Sequence, residues 1–395
     1  LIIAFVLVPV FYKMNMASIY QYLDTRFGMS AHKTGAWFFF ISKMLGASVR
    51  LFLVCVTLQL MVFEPLRLPF LLNVLITMGI VLVYTFRGGV KSVIWTDVLK
   101  TVCMITAIVL GIVFIAKDLG LDFSGLVQTV RESPYSKVFF FDDVNHPEYF
   151  WKQFLAGIFT VVAMTGLDQD LMQRTLSCKD YRNAQKNLVT SGLMQIPVIF
   201  LFLSLGALLY IFGSAKGISE VGDTLFPAVA TSGLLPGIVG IMFVVGLVSC
   251  AFSAGGSALT ALTTSFTVDI IGTAGKSEEE VTAVRKRVHL TMALLMGVCI
   301  FIFHLLNTQS SIDAVYKLAS YTYGPILGMF AFGLLTRRKV RDKWVPVVAV
   351  IAPILCFILQ TNSVRWFGGY QFSYELLLFN ALFTFLGLCL LIRRK

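Results

Sequence analysis

Residues 86–116 read FRGGVKSVIWTDVLKTVCMITAIVLGIVFIA, and this stretch decides the fold. Two glycines and a short polar patch lead into an apolar run long enough to cross a bilayer, with Asp97 near its mouth. An aspartate at that depth is costly unless a cation, a hydrogen-bond donor or water meets it. Two readings are open. Asp97 caps the helix, because a carboxylate near an N-terminus accepts from orphan amides and suits the dipole. Alternatively it is a hard oxygen ligand aimed at a cation inside a helix bundle. Lys100 follows three residues later on the same face and is a candidate to neutralise it.

The rest of the composition fits a polytopic all-α membrane protein. Of 395 residues, 57% are hydrophobic and only 13% are charged, against roughly 25% in soluble domains. Mean hydropathy is +0.83. Spanning segments are expected near 35–63, 69–86, 92–116, 151–167, 188–213, 234–262, 288–306, 318–335, 344–360 and 374–392. Residues 1–12 read as the tail of another, so about eleven spans are expected, with the two ends on opposite sides. Because Leu1 opens inside an apolar run, the chain reads as a fragment cut within a helix. The stretch 17–27 suits a short helix at the inner interface, and 117–150 a partly ordered outer connection. No low-complexity linker interrupts residues 1–395, which therefore form a single membrane domain.

Basic residues fix the expected orientation. Alternate connections hold Lys179, Arg182 and Lys186, then Arg285, Lys286 and Arg287, then Arg337, Arg338, Lys339, Arg341 and Lys343, while the opposite set holds few. The rich set, which also takes in Arg87, Lys91, Arg394 and Lys395, is expected to be cytoplasmic, and with it the C-terminus. This accounts for the net charge of +11 without nucleic acid, since no single basic patch is interleaved with aromatics. The seven cysteines lack metal or redox spacing and the four histidines form no cluster. With no H-E-x-x-H or G-x-S-x-G pattern either, a membrane enzyme is disfavoured.

Polar residues inside the spans mark the candidate site. Residues 248–269, VSCAFSAGGSALTALTTSFTVD, continue a span with small and hydroxyl side chains. That stretch suits close helix packing, or an ion path lined by hydroxyls and freed carbonyls. Arg50 sits about 22 Å along the 35–63 helix, too deep to reach either surface. It either pairs inside the bundle or binds an anionic solute through its guanidinium. Lys43 lies nearer the cytoplasmic end and is expected to snorkel there. Gln195, just before Pro197, either satisfies a kink or reaches a ligand. Tyr316, Tyr321 and Tyr323, ahead of Gly324–Pro325, form an aromatic belt or a gate.

Together, GGVKSVIWTDV (88–98), DQDLMQRTLSCKDYRNAQ (168–185), the TVD at 267–269 and YGPILGMFAFGLLTRR (323–338) resemble the sodium/solute symporter family, its bacterial members most. The resemblance covers essentially the whole chain in order. It implies a LeuT-like inverted-repeat helix bundle of two five-helix repeats. Residues 1–335 would hold core helices two to ten, with the first core helix missing, and 336–395 two extra C-terminal helices.

The family's main sodium site implies a hydroxyl ligand at Ser253 and a backbone carbonyl at Cys250; its second hydroxyl falls on Ala254, which has none. A second sodium would use Asp97 and Ser257, with Gly256 standing where the family has a ligand. Substrate contacts are implied at Gln195, Tyr316, Thr165 and Met164. Arg50, added from depth and charge, suggests a carboxylate: a sialic acid, another sugar acid or a monocarboxylate. A neutral sugar remains open if Arg50 pairs internally.

The expected function is sodium-coupled symport across the cell (inner or plasma) membrane by alternating access. The partners are sodium, a small-molecule solute and the lipid bilayer, with Na+ as coupling ion and no other cofactor. The alternative is a transport-deficient sensor or binding module with the same fold.

Overall fold

The computed structural model describes residues 1–14, 18–137, 139–231, 233–273, 275–306 and 311–393, without the side chains of 87–96, 231, 251, 252, 311, 312 and 314. Of the basic residues used for orientation, Arg87, Lys91, Arg394 and Lys395 lie outside the described side chains. Among the described residues every regular element is a helix, apart from one isolated antiparallel bridge between Val340 and Ile392.

The order along the chain is α1 (Ile3–Met14), α2 (Gln21–Arg26), α3 (Met29–Phe63), α4 (Phe70–Asp118), α5 (Phe123–Glu132) and α6 (Phe150–Gly166). After these come α7 (Gln169–Leu176), α8 (Tyr181–Lys216), α9 (Leu225–Thr231), α10 (Gly237–Ile271) and α11 (Glu278–Leu306). The last are α12 (Ser311–Leu335), α13 (Val345–Trp366) and α14 (Leu376–Leu390). Each expected apolar segment falls on one of these helices. Among the described residues, 7 helices are long and apolar enough to cross a membrane, or up to 8 if the bent α6–α7 pair is one span. Shorter apolar helices cover Ile3–Met14, Phe70–Phe86 and Leu376–Leu390.

One boundary differs from expectation. The connection expected between 69–86 and 92–116 is helical backbone, so α4 runs unbroken for 49 residues. Residues 86–97 include Gly88 and Gly89 but no proline. Glycine costs about 1 kcal/mol in a helix interior, whereas proline removes a donor and clashes with the preceding turn.

Helix α10 is the centre of the bundle, and its small residues let it lie close to α3 and α4. A Cβ on Gly255 would stand 3.2 Å from the Leu51 side chain, and one on Gly246 would stand 2.9 Å from Met104 Sδ. One apolar core joins α3, α4, α10 and α11 through residues such as Leu51, Val81, Leu259 and Met292. Another joins α1, α2, α12 and α14 around Tyr20, Phe330 and Leu388. The outward face of α8 is largely apolar: Leu193, Met194, Ile196 and Phe200 are all exposed. Such a face suits a lipid solvent, where helices satisfy their own backbone.

Two irregularities are met by specific side chains. Pro325 interrupts α12 and has no N–H for the carbonyl of Tyr321. Asn380 of α14 supplies the missing donor, placing Nδ2 2.9 Å from the carbonyls of Tyr321 and Ser320. The approach requires Gly324, where a Cβ would meet Asn380 at 2.4 Å. At the start of α3, the Asp342 carboxylate accepts from the amides of Ser30 and Ala31, each at 2.9 Å. It takes two of the donors that every helix N-terminus leaves free.

Candidate functional site

Among the described residues, one apolar helix pair is sharply bent at a short break. Helix α6 ends at Gly166, and α7 departs at 65° to it. Asp168 stands at this elbow in an extended conformation and caps α7, accepting from the amides of Asp170 (2.9 Å) and Leu171 (3.2 Å). Asp170 and Arg174, four apart, therefore share the face of α7 that turns inward.

That face closes a cavity of about 170 Å³ between α3, α4, α6–α7, α10 and α12. Charged groups line it from three directions: Lys43 and Arg50 on α3, Asp97 and Lys100 on α4, and Asp168, Asp170 and Arg174 on α7. Ser253, Ala254 and Ser257 line it from α10, and Tyr323 from α12.

These charges form one connected network. Lys43 is buried, 7% exposed, and its Nζ lies 3.1 Å from both Asp168 carboxylate oxygens and 2.9 Å from Asp170 Oδ2. Tyr323 donates to Asp168 Oδ2 at 2.7 Å. Arg174 bridges two acids, with Nη1 3.2 Å from Asp97 Oδ2 and Nη2 3.3 Å from Asp170 Oδ1. It also donates to Ser257, and Ser257 in turn donates to Asp170. Lys100 Nζ lies 2.8 Å from Asp97 Oδ1 and 3.3 Å from Ser253 Oγ, while Ser253 donates to Asp97. A buried charge is tolerable only with partners of opposite sign, and the buried Lys43, Asp168 and Asp170 have them.

Arg50 differs from the other cavity cations. It is exposed, lines the cavity, and has no ion pair with a carboxylate among the described residues. Its neighbours are the closed network on one side and Tyr323 on another. The cavity thus keeps an excess of one positive charge over its three aspartates.

The structure brings together Arg50, Asp97, Met164, Ser253, Ala254 and Ser257 around this cavity. Four other expected residues do not line it. Gln195 points outward from α8 among exposed apolar neighbours, because Pro197 leaves that helix unbroken. Tyr316 is 37% exposed and packs its ring 5.1 Å from Tyr374. Thr165 is half-buried at the elbow, and Cys250 is half-buried one turn before Ser253. Among the tyrosines expected as a belt or gate, Tyr321 donates to Gln360 instead.

Two expectations are corrected. Lys43 does not snorkel; two acids delivered by the elbow hold it inside. Asp97 is no helix cap, since α4 continues through it and its carboxylate faces Lys100, Arg174 and Ser253. Asp168, Asp170 and Arg174 had no assigned chemistry in the sequence, and Tyr323 was expected only in a belt or gate. The signal was present: two acids and a base stand within seven residues of the end of an apolar run.

A family model described as "Sodium:solute symporter family" matches residues 1–342. The chain is 26% identical over 383 residues to the sodium/sialic acid symporter NanT of Aliivibrio fischeri, covering 92% of this chain and 72% of that one. It is 28% identical over 357 residues to the sodium-dependent multivitamin transporter of Oryctolagus cuniculus, covering 85% of this chain and 53% of that one. The chain thus spans about half the length of that second relative. Among solved structures it is similar to a substrate-bound, outward-open Na+-coupled sialic acid symporter. The TM-score is 0.80 at 16% identity, covering all of this chain and 82% of that one. The likeness is one of fold, the LeuT-like helix bundle expected from the sequence.

Proposed function

Because the chain belongs to the sodium:solute symporter family, we propose that it couples sodium entry to the uptake of a small, carboxylate-bearing solute by alternating access. The observation that carries the solute class is Arg50. It lines the central cavity with its guanidinium uncommitted to any carboxylate among the described residues, while Lys43, Lys100 and Arg174 are paired. A planar guanidinium matches a carboxylate with two parallel hydrogen bonds. The net positive cavity favours an anion over a neutral sugar. NanT, a relative, is a symporter of an acid, sialic acid.

The coupling ion would use oxygens of α10. The Ser253 hydroxyl, on the cavity wall, and the Cys250 carbonyl, one turn earlier, are the proposed sodium donors; Asp97 and Ser257 are the neighbouring oxygens that a second ion would need. Met164 lines the solute's side of the cavity. Coupling requires that sodium bind more tightly to the state that also binds solute, since an ion with equal affinity for both states shifts nothing. The membrane would be the plasma membrane, with the basic connections and the C-terminus cytoplasmic.

One observation favours a second reading, a binding module that retains the fold without transport. Ala254 offers no oxygen to the ion, and Asp97 is already engaged by Lys100 and Arg174. Uptake into proteoliposomes separates the two. With sodium outside, an acidic sugar should accumulate, and replacing sodium by choline should abolish accumulation. Undiminished uptake in choline overturns the coupling, and solute binding without accumulation selects the module.

A further inference from the structure

We infer that Lys100 is a tethered cation standing in place of a sodium ion at Asp97, so that this protein binds one sodium fewer than the oxygens of the cavity would otherwise hold. The inference rests on reading Asp97, Ser253 and Ser257 as cation-facing oxygens. It concerns how many ions they accept.

The geometry is that of an occupied cation position. Lys100 Nζ touches Asp97 Oδ1 at 2.8 Å and Ser253 Oγ at 3.3 Å, so one ammonium spans α4 and α10 between the two groups. The other Asp97 oxygen faces Arg174 Nη1 at 3.2 Å, and Ser257 receives the same guanidinium. Each member of the oxygen set therefore already meets a nitrogen cation.

Charge counting leads to the same place. Asp97, Asp168 and Asp170 are matched by Lys43, Lys100 and Arg174, a neutral cluster in which every charge has a partner. A sodium ion added at Asp97 would bring an unmatched charge into a cavity that Arg50 already leaves positive, and like charges repel. To enter, it would have to displace an ammonium held three residues away on the same helix. A tethered group competes at high effective concentration, because only its side-chain rotamers are lost on docking.

Gly256, the position where the resemblance implies a further ligand, faces carbon. At Gly256 a Cβ would meet Thr85 Cγ2 at 2.8 Å, so the wall there is a methyl. The Thr85 hydroxyl is turned away, bonded to the carbonyl of Val81 at 2.8 Å and to His289 Nε2 at 2.8 Å. Hard cations need a shell of several oxygens, and this side supplies none.

Equilibrium binding of radioactive sodium to the purified full-length protein, at constant ionic strength set with choline, tests the inference. Lys100→Gln and Lys100→Met remove the charge while keeping a long side chain, and Lys100→Arg keeps the charge. Each neutral variant should saturate at one more sodium per chain than the wild type, and Lys100→Arg at the wild-type number. An unchanged or lower number in the folded neutral variants overturns the inference, as does an added ion in Lys100→Arg. A wild type that binds no sodium defeats the proposed coupling instead, and the difference between variants still decides the role of Lys100.

Discussion

Lys43 Nζ lies 3.1 Å from both carboxylate oxygens of Asp168, a residue 125 positions later in the chain. The pair ties the middle of α3 to the elbow after α6 and fixes where the cavity's charges stand. Removing Lys43 leaves Asp168 buried without a cation, and an uncompensated buried charge costs about 3–5 kcal/mol. Lys43→Met should therefore lower the unfolding midpoint of the purified protein strongly, and Lys43→Met combined with Asp168→Asn should recover part of the loss. A single variant as stable as the wild type would show that the pair is not buried.

Arg50 is expected to affect solute and not stability. A hydrogen bond to a charged group contributes about 1.5–3 kcal/mol. Arg50→Ala should thus raise the half-saturating concentration of an acidic solute by roughly tenfold to a hundredfold. The thermal midpoint should stay near the wild-type value, because the side chain is exposed to the cavity. If every acidic solute is recognised as before, the carboxylate reading is wrong.

Asn380 serves the carbonyl of Tyr321, which α12 cannot satisfy itself, and that of Ser320 beside it. Asn380→Ala leaves the carbonyls of Ser320 and Tyr321 without that donor in a buried place. Each orphaned group costs about 1–3 kcal/mol. Thermal unfolding monitored by circular dichroism should show a clear loss, whereas a change below about 0.5 kcal/mol, the range of ordinary surface substitutions, would contradict the role assigned to it.

Gly28 sits at φ 138°, and a Cβ there would stand 2.7 Å from Asp342 Oδ2. Gly28→Ala therefore combines a strained backbone with a clash against the residue that caps α3. A loss of about 1–3 kcal/mol is expected from the backbone alone. Wild-type stability in this variant would mean that the start of α3 is not fixed by Asp342.

Hydropathy made the spans legible because each apolar run is long enough to read as a helix without help from its neighbours. It did not show the break at residues 166–169, where one apolar run ends and α7 turns back on it. The site was legible in proportion to how odd its residues look alone. Arg50 and Asp97 stand out in apolar surroundings, and Ser253 and Ser257 share a face. Lys43 looks ordinary near a helix end, and Arg174 looks like one more cytoplasmic base, until the elbow sets Asp168 and Asp170 beside them. Gln195 shows the opposite failure: a polar residue two positions before a proline, on the exposed side of α8.

The 65° elbow also makes α7 a strut that carries charge. Asp170 and Arg174 ride on the same eight residues, so no motion of the strut can move one without the other. Swinging it away from α3 would strip Lys43 of Asp170 and, in the same stroke, withdraw the guanidinium from Asp97 on α4. Lys43, left with Asp168 alone, and Asp97, left with Lys100 alone, would then each lose one partner of opposite sign together. Displacement at this hinge is thereby converted into a change of electric field across the path of any ion or acid passing between them.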